Sequence, residues 1–306
     1  MGKGPGTTKL WLGVGVYALV AGSGLPAGPA KAQALGQRVP HSAGMSHGTG
    51  HDGEPGHGND AGAGGHGGWA DLSDQGGEGG EGGEGGEAGV LSGLSPEAAY
   101  AVQLALIRGH LAIGRELVEA GAWDDAVPHF MHPTEEVYDA LAPQLHAHDV
   151  PPFREELEAL ARAVRSRAGA QEIGQRRAAV ESVLERAEAA LPAATRASPA
   201  FVGRVAGAVL RAAAEEYAAA VEDGRIVNVV EYQDSRGFVR ITEALLRAHE
   251  HALQAEDARA WQDVAQAMEQ LVRAWPTPRP PERPVLSPGE VSAFVSRVEL
   301  AASDWQ

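Results

Sequence analysis

Ser95-Pro96-Glu97, Ser198-Pro199 and Ser287-Pro288-Gly289-Glu290 punctuate the last two thirds of this chain with one signature. It confines that stretch to helices. A Ser hydroxyl caps the first free N–H groups, and Pro suits the first helical position because its missing N–H had no partner there anyway. Between these starts the apolar residues step by three and four: Leu104, Ile107, Leu111, Gly114, Val118; Val180, Leu184, Ala187, Leu191; Val202, Val205, Val209; Trp261, Val264, Met268, Leu271, Trp275. Alanine is abundant and β-branched alternation is absent, so no strand is expected. Breaks fall at Gly121, Pro151-Pro152, Gly169, residues 192–199, Gly224 and the Pro-rich run 276–284. The expectation is an all-α bundle of seven or eight helices over residues 95–306.

What precedes the bundle has a different chemistry. Lys3 and Lys9 open the chain, residues 10–21 are apolar, and small residues lead to Ala32-Gln33-Ala34. This is the pattern of a secretory signal peptide over 1–34, with an apolar part too short for a stable membrane span. It implies a periplasmic or secreted protein. Residues 35–94 then read as a disordered segment rich in Gly, His and Glu, since so few aliphatic side chains cannot offset chain entropy. His41, His47, His51, His57 and His66 lie there among Asp52, Glu54 and Asp60. Imidazole and carboxylate on a Gly-rich chain can wrap a metal without demanding any fixed geometry.

The net charge of −16 includes three lysines, all before position 34; their removal with the leader leaves −19. Such a chain repels nucleic acid and favours cations or cationic partners. Zero cysteine excludes disulfides, thiolate metal sites and thiol catalysis.

Two stretches break the core pattern. In residues 227–252, Phe238, Ile241, Leu245, Ala248 and Ala252 form a helical stripe whose backward extension meets Asp234 and Glu231. Two carboxylates on a core face need cations, donors or a metal, because an unpaired buried charge costs several kcal/mol. In residues 123–136, His129, His132, Glu135 and Glu136 surround Pro133, which should open a helix. Acids in a first turn also complement the helix dipole, so Glu135 and Glu136 have a purely structural explanation as well. His110 shares an apolar row with Leu106, Ile113 and Leu117. Together His110, His129, His132, Glu135, Glu231 and Asp234 make a mixed imidazole and carboxylate set that suits a divalent metal ion: iron, zinc, manganese or copper. A network of ion pairs with Arg108, Arg115 or Arg236 would satisfy the same carboxylates, and the sequence leaves both answers open. His146, His148, His249 and His251 sit in alternating pairs near helix ends and read as solvated.

The motif His132-Pro133-Thr134-Glu135 resembles the H-x-x-E motif of the imelysin-like group, which includes the EfeO-type periplasmic component of ferrous-iron uptake. Glu231-Tyr232-Gln233-Asp234 is similar to an acid-aromatic-Gln segment in those proteins. The family's glycine two residues before the motif's His is Phe130 here, and His110 has Gly114 rather than Glu downstream. The resemblance implies an exported helical bundle that handles iron or another metal in the cell envelope; a peptidase role gains no support. Residues 109–130 also resemble one tetratricopeptide-type hairpin, but no second copy follows at a fixed spacing, and such arrays need three or more units.

Three functions therefore compete. The first is an exported metal-binding protein. The second is an acidic helical module that docks an envelope partner, its internal carboxylates paired to Arg. The third, a metal-assisted hydrolase, is least favoured, because H-E-x-x-H, a nucleophile elbow and a phosphate loop are all absent.

Overall fold

The computed structural model describes residues 89–305. The expected signal peptide (1–34) and the His-rich part of the segment 35–94 lie outside the described residues. Residues 90–93 form a turn, and Val90 is buried in the core. Three aliphatic side chains end the Gly run, and Arg211 donates to the Val90 carbonyl (3.4 Å).

The architecture is all-α, as the periodicity predicts. In chain order the helices are α1 (Pro96–Glu119), α2 (Trp123–His132), a π turn (Pro133–Val137), α3 (Tyr138–Ala147), α4 (Arg154–Arg165), α5 (Ala170–Ala189) and the short α6 (Ala193–Ala197). They continue with α7 (Pro199–Ala220), α8 (Val229–Ala248), α9 (Glu250–Glu256), α10 (Ala258–Leu271), a 3-10 turn (Val272–Ala274) and α11 (Pro288–Ala302). That is more pieces than the expected seven or eight. The extra joints fall where capping side chains end one helix and start the next: His249 closes α8, and the Asp257 carboxylate accepts from Arg259 and Ala260 to open α10.

One expectation is corrected outright. A two-residue-per-strand antiparallel hairpin joins α7 to α8, pairing β1 (Val221–Glu222) with β2 (Arg225–Ile226). Its turn is Asp223-Gly224, both at positive φ (49° and 70°), the left-handed pair that closes tight hairpins. Two of the three Ser caps are made as expected. Ser95 accepts from the Ala98 N–H, and Ser287 and Glu290 form a reciprocal capping box. Ser198 instead closes α6 through its own N–H, and its hydroxyl caps nothing.

The core is built where α8 packs between α7 and α1, with α11 against α7 and α10 and the α2 hairpin folded back on α1. Two helix crossings depend on glycine. A Cβ on Gly237 would stand 2.3 Å from the Gly109 carbonyl oxygen, and one on Gly109 would stand 2.4 Å from the Phe238 ring. Backbone therefore meets backbone where α1 crosses α8. A Cβ on Gly114 would likewise strike the Phe130 ring at 2.7 Å. These two residues, both departures from the imelysin-like pattern, fill each other's space.

The stripe expected on α8 is rotated. Ala248 is exposed, Ile241 and Leu245 are half-buried, and the sealed residues are the unbroken run Tyr232 to Val239 followed by Thr242 and Leu246. Residues 232–239 have no solvent face because a strap, residues 275–278, covers their remaining side. Arg236 donates to the Trp275 carbonyl (2.5 Å), Tyr232 to the Thr277 carbonyl (3.0 Å) and Gln233 to the Pro278 carbonyl (3.2 Å). The Trp275 indole N–H donates to the Ser235 hydroxyl (2.7 Å). Proline-rich backbone offers carbonyls with few N–H groups of its own, so a row of side-chain donors on α8 is its natural complement. Among the described residues no helix is long and apolar enough to cross a membrane.

Candidate metal centre

His110 leaves α1 beside the Gly109–Gly237 crossing, and Asp234 leaves α8 one turn before it. The backbone contact sets these two side chains face to face. His129 and His132 project from the last turn of α2, three residues apart and so on one face. Asp234 stands at the centre: its Oδ1 lies 2.6 Å from His110 Nδ1 and 2.7 Å from His129 Nδ1, and its Oδ2 lies 3.0 Å from His132 Nδ1. One ligand atom from each of these four side chains lies within 4.8 Å of all the others. His110, His129 and Asp234 are buried at 1 % exposure or less, while His132 keeps 14 % of its side chain in solvent. The cluster therefore opens on the His132 side.

A shell of neighbours fixes the rings. The second nitrogen of His129, Nε2, faces the Gln233 side-chain oxygen at 2.9 Å, and Gln233 in turn donates to the Pro278 carbonyl. That orientation leaves Nδ1 as the inward nitrogen of His129. A partner on the outer nitrogen is the usual way a protein sets the tautomer and direction of a ligating imidazole. His110 stacks edge-on against Phe238 (4.9 Å between centroids) and against His132 (5.3 Å).

Electrostatics centre on one carboxylate. Burial by itself would raise the Asp234 carboxyl. The charges of His129 and His110 and their hydrogen bonds outweigh it and hold the group well below the usual carboxylate range. Burial would lower His132, but its hydrogen bond to Asp234 and the charge of Asp234 raise it above the ordinary histidine value.

The residues singled out from sequence divide four to two. His110, His129, His132 and Asp234 converge. Glu135 is exposed and outside the cluster. Glu231 is half-buried in the first turn of α8, where Asn228, the helix cap, reaches its Oε1 at 3.3 Å. It complements the helix terminus and is absent from the core cluster. Two neighbours of the site were not in the set: Gln233, hidden beside Asp234, and Glu136, whose Oε1 is 3.6 Å from His132 Nδ1 and whose Oε2 is 3.8 Å from His110 Nε2.

The arginines named as alternative partners are engaged elsewhere. Arg236 grips both oxygens of Glu116 (2.9 and 2.7 Å), and Arg108 holds Glu181 and Glu188. Arg115 lies 3.6 Å from Glu119. Imidazole, not guanidinium, meets Asp234. Three nitrogens and one carboxylate in a nearly dry site, with no sulfur, form a donor set for iron, zinc, manganese or copper(II) rather than for calcium or magnesium.

Residues 192–305 match the family described as the iron permease-associated 4-helix bundle domain. No curated protein and no solved structure matches the chain. The matched stretch takes in α7, α8, α10 and α11, the four long helices of the C-terminal part, and supplies Asp234 and Gln233. The three histidines precede it. Over that bundle the chain is thus similar to a domain linked with iron permeases, a different iron-linked group from the imelysin-like one that His132-Pro133-Thr134-Glu135 resembles.

Proposed function

We propose that this protein is an exported metal-binding helical protein that acquires or handles iron, or another divalent ion, in the cell envelope. His110, His129, His132 and Asp234 hold the ion. The observation that carries this is the convergence of three Nδ1 atoms on the two oxygens of one buried carboxylate. Ligand atoms bound at about 2.1 Å to one ion stand roughly 3 to 3.5 Å apart, so the ion enters with small outward movements of the rings. The similarity of residues 192–305 to an iron permease-associated domain favours iron as the cargo. A basic, apolar leader and the strongly acidic remainder are what an exported cation carrier needs. The Gly/His-rich segment would gather ions, and a permease or other envelope protein would be the partner.

The test is metal content and thermal stability of untagged full-length protein, compared with Asp234→Asn and His129→Ala. The wild type should hold about one equivalent of iron more than either variant, because the His-rich segment contributes equally to all three. It should also gain about 2.7 kcal/mol at a free metal concentration 100 times Kd. Equal metal in all three proteins would overturn the assignment. Export is tested separately by sequencing the mature N-terminus, expected to begin at Leu35.

A further inference from the structure

We propose that Glu136 is a fifth metal ligand, placed on the solvent side of the cluster, and that it shifts the site toward ions of higher coordination number such as Fe(II) and Mn(II). This rests on the metal reading of His110, His129, His132 and Asp234. Glu136 turns one oxygen toward His132 Nδ1, the nitrogen that faces Asp234 (3.6 Å), and the other toward His110 Nε2 (3.8 Å), the ring nitrogen not engaged by Asp234. Both distances exceed a hydrogen bond. The first equals the separation of about 3.6 Å between two donors that share an ion at about 2.1 Å and 120°. The side chain keeps 18 % exposure, more than His132 at 14 % and far more than Asp234 at 2 %. It is therefore the ligand that an arriving ion meets first.

The backbone explains why this residue, and not Glu135, faces inward. Pro133 has no N–H to continue the ladder of α2, and the chain responds with a π turn over Pro133–Val137, closed by the Tyr138 N–H on the Pro133 carbonyl. Widening the turn brings the residue four positions after His132 under its ring and swings the residue three positions after it outward. Glu136 points in, and Glu135 is exposed.

Charge balance supplies the motive. A divalent ion on three neutral imidazoles and one carboxylate leaves a net charge of +1 in a nearly sealed site, which burial penalises. A second carboxylate cancels it. The resulting three-nitrogen, two-carboxylate set also exceeds the four ligands at which zinc sites usually close, whereas iron and manganese accept five or six.

Full-length wild type, Glu136→Gln and Glu135→Gln are titrated with Mn(II), followed by the loss of the free-ion paramagnetic resonance signal, and with Zn(II) against a chromophoric chelator. Glu136→Gln should weaken Mn(II) binding tenfold or more while changing Zn(II) affinity less than threefold, and Glu135→Gln should change neither. A Glu136→Gln protein with the wild-type ratio of Mn(II) to Zn(II) affinity overturns the proposal and leaves the four-residue site standing. A wild type whose affinities match those of Asp234→Asn overturns both. Unchanged circular dichroism for Glu136→Gln separates lost ligation from lost fold.

Discussion

Asp234 and Arg236 lie two residues apart on the same sealed stretch of α8, and the protein answers their charges in opposite ways. Arg236 is met by one carboxylate, Glu116, through two parallel hydrogen bonds, and by the Trp275 carbonyl. Each of its three nitrogens donates and its charge is balanced: the pair is closed. Asp234 is met by three imidazole nitrogens at 2.6, 2.7 and 3.0 Å, and an imidazole nitrogen, unlike a guanidinium N–H, can give up its proton and offer a lone pair. A structural ion pair ends when charge and hydrogen bonds are matched. A cluster of imidazole and carboxylate can instead exchange its shared protons for a metal ion. The contrast separates a charge pair that is matched within the fold from a cluster whose donor types suit a metal.

Four changes break or sharpen that contrast. The largest effect should come from Gly237→Ala, which strikes both regions at once. Its new methyl would meet the Gly109 backbone, which cannot rotate away, so denaturant unfolding should show a loss of about 3 kcal/mol or more. Metal binding should fall with it. Asp234→Asn should split by condition. The metal-free protein should lose about 1 to 3 kcal/mol through imperfect hydrogen bonds. The metal-dependent gain, about 2.7 kcal/mol at 100 times Kd, should vanish entirely. If iron still stabilises this variant, Asp234 is no ligand.

Glu116→Gln should do the reverse. It leaves Arg236 buried with a neutral partner. Because Glu116 is itself 38 % exposed, the loss should be near 2 kcal/mol, below the range for a fully buried pair. The increment from added metal should stay intact, and a loss of metal affinity here would erase the distinction between the two regions.

The smallest effect is a slope with pH. His132 is raised above its ordinary value, so its contribution to the metal-free protein is complete below about pH 6.5 and is lost as pH rises through the raised value. Protons compete with a metal for the same nitrogen, so the metal-dependent increment should grow over that interval. Melting curves from pH 6 to 8.5, with chelator and with metal, should therefore slope in opposite directions. Parallel slopes would place His132 outside the metal shell.

Much of this arrangement is legible in the chain. The helices follow from three-four periodicity and Ser-Pro starts, and His110 and Asp234 stand out because each interrupts an apolar row. The rest depends on three dimensions. Glu135 and Glu136 are equivalent on a regular helix, and only the π turn at Pro133 decides between them. Glu231 shares a helix row with Asp234, yet its place in the first turn, beside the Asn228 cap, keeps it out of the core. The Asp223-Gly224 turn is a hairpin signal, but flanking strands of two residues are too short to show any alternation. The Gly109–Gly237 contact joins residues 128 positions apart, and neither glycine advertises its partner.

That contact gives the site one fixed jaw and one movable one. Where α1 touches α8, backbone meets backbone at Gly237 and the buried Phe238 ring packs on Gly109, so His110 and Asp234 are held at a nearly fixed spacing. The opposing jaw is the Pro133 π turn, which carries His132 and Glu136 at the solvent edge. On the proposed metal reading, ions of different radius would be accommodated at that turn, where the regular helical ladder is already broken. A metal centre built this way would work like a vise, its calibration set by the proline-induced joint rather than by the helices that bury it.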